Sequence, residues 1–279
     1  MPARDGYDVH FLTVPVPLPV PAAAGAVDLL VRLDYTHFTV LLRPDRRLAA
    51  ATAVNIDGAA LRDVDRAGSD WRLDDRVPVA QQTGEDVYAR NDFDRGHLVR
   101  RRDPVWGEPQ RAAEANDDTF YYTNAAPQVA VFNQSKDLWL GLEDYVLGHA
   151  ESTDSLLSVL TGPVLADDDP VYRGLPVPRR FWKVAAWATG GRLAATGYLL
   201  DQSALVDELL ARERSGGGAA AAADLGAYRT FQVPLTQIST ATGLDLGPLV
   251  AADRLGGATT ATAQAVAPIE LTSWDDVVL

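Results

Sequence analysis

The chain has no cysteine, four histidines and two lysines among 279 residues, and no apolar run of about 18 residues that could span a bilayer. Without cysteine there are no disulfides, no thiol nucleophile and no sulfur-ligated zinc, a composition that fits a reducing compartment. The histidines, at 10, 37, 97 and 149, are scattered and form no HExxH pair, which argues against a multi-histidine zinc centre. Any metal must therefore be held by oxygen or imidazole, and hard-cation chemistry stays open. The opening stretch "MPARDGYDVHFLTVPVPLPVP" has prolines and acids where a secretory signal needs an unbroken apolar segment, so the sequence reads as cytoplasmic and not membrane-associated. There is no GxSxG elbow, no P-loop and no clustered Asp/Glu signature of a two-metal site.

What is present is a hydrophobic content of 47%, ample for a packed core, on a body of net charge −13. That acidity argues globally against a non-specific nucleic-acid binder, which gains affinity by releasing counterions from phosphates. The local pattern differs. Between Arg90 and Arg111 six arginines face four acids, a balance of +2, and from Arg173 to Lys183 three arginines and one lysine meet no acid, a balance of +4. Two positive islands on an acidic body can steer a polyanion into a groove, whereas a charge run taken alone reads equally as a solvated face. Arginine outnumbers lysine 23 to 2, which suits bidentate phosphate contacts or reflects the coding bias that also explains the many alanines.

Periodicity predicts one α+β domain over residues 1–279, with a central, mainly antiparallel sheet flanked by helices. The proline-rich first 25 residues are predicted to extend over the surface. Strands are predicted at 28–36, 37–44 and 48–56, the last two joined by a "DRR" turn, then near 97–100 and over "TFYYT" (119–123). Residues 57–90 read as polar loop. Later strands are predicted at 156–164, 181–189 and 192–200, with Gly190–Gly191 as a two-residue hairpin turn. Helices are predicted at 108–117, 133–149 and 203–214, with a flexible loop at 215–223 and a C-terminal tail over 255–279.

The motifs that carry chemistry are "DRGH" (94–97), "TNAAPQ" (123–128), "FNQ" (132–134) and "WLGLE" (139–143). In this order they make the sequence resemble the DNA/RNA non-specific endonuclease family, which has a ββα-metal core, over most of residues 36–202. The resemblance implies a metal-dependent endonuclease that cuts DNA and RNA to 5′-phosphate ends with one hydrated magnesium, or manganese, ion. His97 matches the general base, and its other reading is a core histidine satisfied by a backbone carbonyl. Asn133 matches the metal ligand and could equally be a helix N-cap. Asn124 matches an asparagine near the metal waters or the scissile phosphate, with a turn residue as its alternative.

Glu143 matches a glutamate that binds metal-held water. Its interval from Asn133 is ten residues where many members have eight, and a continuous helix over ten residues rises about 15 Å. Either the helix starts after Asn133 or Glu143 is an outer group. Arg95 stabilises charge on the phosphate or pairs with Asp94, and Gly96 supplies a backbone bend. Some relatives place a further arginine where Asn55 or its neighbours fall. Arg100, Arg102, Arg180 and Lys183 are the candidate substrate-binding residues, with Arg100 to Arg102 alternating along a strand between groove and solvent. Relatives are often homodimers, so the resemblance implies one here. A non-specific nuclease endangers its host, which points to an inhibitor, an activating partner or export. The rival readings are a catalytically weak nucleic-acid-binding module on the same scaffold and a small-nucleotide phosphodiesterase.

Overall fold

A computed structural model of the chain describes residues 4–23, 29–66, 70–90, 92–129, 154–215, 229–256 and 267–271. The predicted helix 133–149, with Asn133 and Glu143, lies outside the described residues, as does most of the 215–223 loop and of the C-terminal tail. Among the described residues, no helix is long and apolar enough to cross a membrane.

Apolar, β-branched segments form the strands of the main sheet, which are buried on both faces through its middle and alternate at the edge strand Val31–Tyr35. They are β2 (Val31–Tyr35), β3 (Phe38–Arg43), β4 (Leu48–Asp57), β7 (Leu156–Val164), β10 (Arg180–Thr189) and β11 (Arg192–Asp201). With β12 (Arg229–Val233) and β14 (Ile269–Glu270) they build an eight-stranded sheet in the order β14-β12-β11-β10-β7-β4-β3-β2, antiparallel throughout. The predicted hairpin is present. Gly190 and Gly191 take φ of 57° and 74°, the left-handed values that a two-residue turn matched to strand twist requires.

One face of the sheet, with Phe38, Val54, Phe181, Tyr198 and Leu200, packs under the helix Ser203–Arg214 and under a separate two-stranded ribbon, β5 (Phe93–His97) with β6 (Ala125–Val129). The other face, with Ala51, Leu160, Trp182 and Val184, is covered by the helix Leu235–Thr242 and by Tyr7, Leu12 and Val16. The N-terminal segment is thus part of the core and not a surface drape. Each such fully buried aliphatic or aromatic side chain contributes about 1.5–3 kcal/mol. Arg4 pairs with Asp118 at 2.8 Å, Asp5 with Arg111 at 2.6 Å, and the Asp8 amide donates to Asn55 Oδ1 at 2.7 Å.

Two predicted strands fall elsewhere. The histidine strand spans 93–97, so His97 closes it instead of opening it. "TFYYT" is not a strand: Thr119 caps α2 (Pro109–Asp118) through its hydroxyl on the Asn116 carbonyl at 2.7 Å, and residues 122–124 form a 3-10 turn. Its aromatics are buried in different directions, and Arg72 is the backbone partner on both sides of Tyr121, with the Arg72 amide on the Phe120 carbonyl at 3.0 Å and the Tyr122 amide on the Arg72 carbonyl at 2.9 Å.

Candidate active site

The ribbon β5–β6 delivers "DRGH" to the first face. Residues two apart on a strand share a side, so Arg95 and His97 project together. After His97 the ladder ends, and Asn124 takes over its work. Its Oδ1 accepts from the Val99 amide at 2.9 Å, while its Nδ2 donates to the carbonyls of Val99 at 2.9 Å and Thr119 at 3.0 Å. Fully buried, Asn124 spends its amide on backbone and fixes where the chain leaves His97. Both ends of the side-chain amide are thus engaged by backbone on either side of the turn.

Gly96 follows from packing, not from a bend. A Cβ at this position would lie 2.2 Å from Gln128 Cδ and 2.5 Å from its Cγ, and Gln128 is itself buried. Gly96→Ala should therefore destabilise the fold by about 1–3 kcal/mol through overpacking and depress activity, and shortening Gln128 in the Gly96→Ala/Gln128→Ala pair should recover most of both. Thermal melts alongside cleavage rates decide it: no rescue by the second change rules out this packing account.

His97 is enclosed by aromatic rings. Trp71 lies 4.6 Å away between centroids, and Phe120 meets the imidazole edge-on at 5.2 Å. Its Nε2 is buried and has no hydrogen-bond partner among the described residues. Burial, then the positive charges of Arg66 and Arg101, push its pKa down to about 3, so the ring is neutral at physiological pH. His37 contrasts with it: that ring stacks on Trp106 at 3.6 Å with Nδ1 2.8 Å from the Pro104 carbonyl, the arrangement of a satisfied core histidine. Among the described histidines, His97 alone holds a buried ring nitrogen with an unmet hydrogen bond.

Two arginines, Arg66 and Arg101, stand close enough for their charge to act on this ring. Residues 98–104 form turns, not a strand, so the predicted alternation of Arg100, Arg101 and Arg102 does not apply. Arg101 braces the neighbouring loop to α2, donating to the Val64 carbonyl at 2.6 Å and to Asn116 Oδ1 at 2.9 Å. Its proton affinity is lowered, first by burial and then by the charges of Arg102, Arg66 and Arg100. Asp63 offsets part of this repulsion, and the cluster as a whole keeps a positive balance that attracts an anion. Arg95 does not pair with Asp94. It donates to Glu85, on the one-turn helix α1 (Glu85–Tyr88).

The second positive island does not join the site. Lys183 is 1% exposed, opposite Thr161 and Tyr198 in the middle of the sheet, and so cannot touch nucleic acid. Arg180 shares a pocket with Arg179 and with Asp168, Asp169 and Asp201, whose carboxylates offset the two guanidinium charges. Arg179 is paired with Asp207 at 2.5 Å, and Arg173 donates to the carbonyls of Asp86 in α1 at 3.1 Å and of Ala89 just beyond it at 2.6 Å. Among the described residues, no group of three or more His, Asp or Glu is placed to hold a metal ion.

The family model for DNA/RNA non-specific endonucleases matches residues 25–253. The chain belongs to that family. It is 38% identical over 281 residues to the uncharacterised protein y4fB of Sinorhizobium fredii, covering 93% of this chain and 41% of that protein. It is 32% identical over 203 residues to human mitochondrial endonuclease G, covering 68% of this chain and 60% of that one. The chain thus spans 41% and 60% of these relatives' lengths. Among solved structures, a chain from the crystal structure of the EndoG/EndoGI complex, described as showing the mechanism of EndoG inhibition, superposes with TM-score 0.57 at 21% identity, over 77% of this chain and 84% of that one. It shares the fold.

For a member of the endonuclease family, the residue that sequence reasoning missed is Arg66. It is exposed, lies 5.7 Å over the Phe120 ring, and makes no ion pair among the described residues. Asn55, the position weighed for an additional arginine, is instead buried and bonded to Asp8 and Ser158. Nothing in "DVDRAGSD" marks Arg66 from sequence, because only the folded loop brings it to His97.

Proposed function

We propose that this chain is a metal-dependent endonuclease that hydrolyses phosphodiester bonds of both DNA and RNA, with His97 as general base. The single observation that carries the reading is the buried, unpartnered Nε2 of a neutral His97 beside the arginine cluster. A water bonded to that nitrogen is positioned for deprotonation. The same arginines that hold the ring neutral draw a phosphate toward it, and the arriving negative charge raises the imidazole's proton affinity at the step that needs it. Arg66, Arg100 and Arg102 contact the phosphoryl oxygens, with Arg95 at the ribbon's edge and Arg101 as brace.

An acceptor such as Nε2, with no carboxylate cage around it among the described residues, fits a cation that keeps most of its own waters, and Asn133 supplies its protein ligand. When bound, that cation, magnesium or manganese, offsets negative charge on the phosphoryl group. Attack by water requires no 2′-hydroxyl, and phosphate contacts carry no sequence information, so the sugar and the bases go unread. Loss of the 3′-oxygen as leaving group gives 5′-phosphate ends. Restraint by an inhibitor belongs to the same reading, supported by the solved complex of the similar EndoG.

Incubation of the chain with plasmid DNA, structured RNA and a dinucleotide, each with magnesium and with chelator, tests the proposal. Magnesium-dependent cutting of both polymers, ahead of the dinucleotide, is the expected pattern. Binding without cutting favours the docking module, and preference for the dinucleotide favours the small-substrate phosphodiesterase.

A further inference from the structure

Arg95 is read above as a phosphate ligand, yet a carboxylate already holds it. Its Nη2 donates to Glu85 Oε2, and the Tyr122 hydroxyl donates to the same oxygen at 2.6 Å. The Arg95 Nε is buried with no acceptor, so half of the guanidinium fork is unmet. The two partners differ in freedom. The Arg95 side chain is 30% exposed and packs 5.6 Å over the Tyr88 ring, whereas the Glu85 side chain is 59% exposed and can swing into water. The Tyr122 hydroxyl first and Arg95 second hold the Glu85 carboxyl below the usual carboxylate range, so it is anionic wherever the site works. A negatively charged oxygen is therefore seated where two donors converge, with a third donor waiting beside it. A phosphodiester offers the same charge and a second oxygen to fill the fork.

We propose that Glu85 is an internal competitor for the nucleic-acid backbone: binding exchanges its carboxylate for a phosphate on Arg95, and the contact limits how tightly the groove holds its polymer. The proposal rests on the reading of Arg95 as a phosphate ligand. It sets Glu85 apart from a positioning residue, because removing a competitor strengthens binding and removing a positioner weakens it. By returning to Arg95 after cleavage, Glu85 also displaces the new terminal phosphate and frees the product.

The test is anisotropy titration of a short fluorescein-labelled DNA duplex by the full chain in chelator, across a range of salt. Glu85→Gln keeps an acceptor for Tyr122 and should bind about threefold tighter than wild type, the worth of one exposed ion pair. Its slope of log Kd on log salt should stay close to the wild-type value, because Arg95 reaches the phosphate in both complexes and only the competitor is lost. Asp86→Asn removes a neighbouring carboxylate that does not touch Arg95 and serves as the control for charge alone. The gain should vanish when Arg95 is alanine. Unchanged or weaker binding by Glu85→Gln overturns the proposal, as does an equal gain from Asp86→Asn. If Arg95→Ala alone binds like wild type, the phosphate role of Arg95 is what fails.

Discussion

His97→Ala should lower phosphodiester cleavage by about 10²–10⁴-fold, the usual contribution of a positioned general base, with duplex affinity in chelator little changed. Among the described residues the ring makes no hydrogen bond through Nε2, so its removal breaks none there, and the arginines proposed to hold phosphate are untouched. The pH profile adds a second readout. Because the free-enzyme imidazole is pushed down to about 3, kcat/KM should stay flat as pH falls through 6.5 and decline only well below it. An acid limb centred at an ordinary histidine value would contradict the enclosed geometry. Stability should move in a related way. The unfolded imidazole takes up a proton near pH 6.5 while the folded one resists until about 3, so stability present above 6.5 is lost progressively as the pH drops between those values. His37, also pushed below its ordinary value by burial, acts in the same direction.

Asn124→Asp should damage both fold and activity. The substitution is isosteric, yet it replaces the Nδ2 donor by an anionic oxygen facing the carbonyls of Val99 and Thr119. Two buried acceptors lose their donor and a charge is buried among them, at about 2–4 kcal/mol of stability. Cleavage by the fraction that remains folded should fall roughly 100-fold, because the chain exit beside His97 shifts and small misplacements of a base are costly. Calorimetry together with rates normalised to folded protein separates the two effects. Full stability with lost activity would place Asn124 at the reacting atoms instead of in the backbone brace.

Local chemistry explains which parts of the fold were legible in the sequence. The helix Ser203–Arg214 and the Gly190–Gly191 hairpin were found to within a residue because their signals, amphipathic spacing and paired glycines, act over a few positions. "TFYYT" has the composition of a strand, but its backbone partner is a single residue of the 70–73 loop, and its aromatics serve three different neighbours. Lys183 reads as surface charge in the sequence, although strand alternation beside Phe181 and Tyr198 commits it to the interior. His97 was legible because its motif is contiguous. Arg66, Glu85 and the true partners of Asn124 were not, since each meets the motif only across folded loops.

The clasp formed by Arg4 on Asp118 and Asp5 on Arg111 joins the amino-terminal stretch to both ends of α2, whose following turn carries Phe120, Tyr122 and Asn124. Those opening residues are foundations for the catalytic wall, standing 114 positions away along the polymer. Loss of Arg4 and Asp5 would consequently be felt at the wall beside the imidazole as well as at the β2–β3 turn, where Asp5 accepts from the His37 amide.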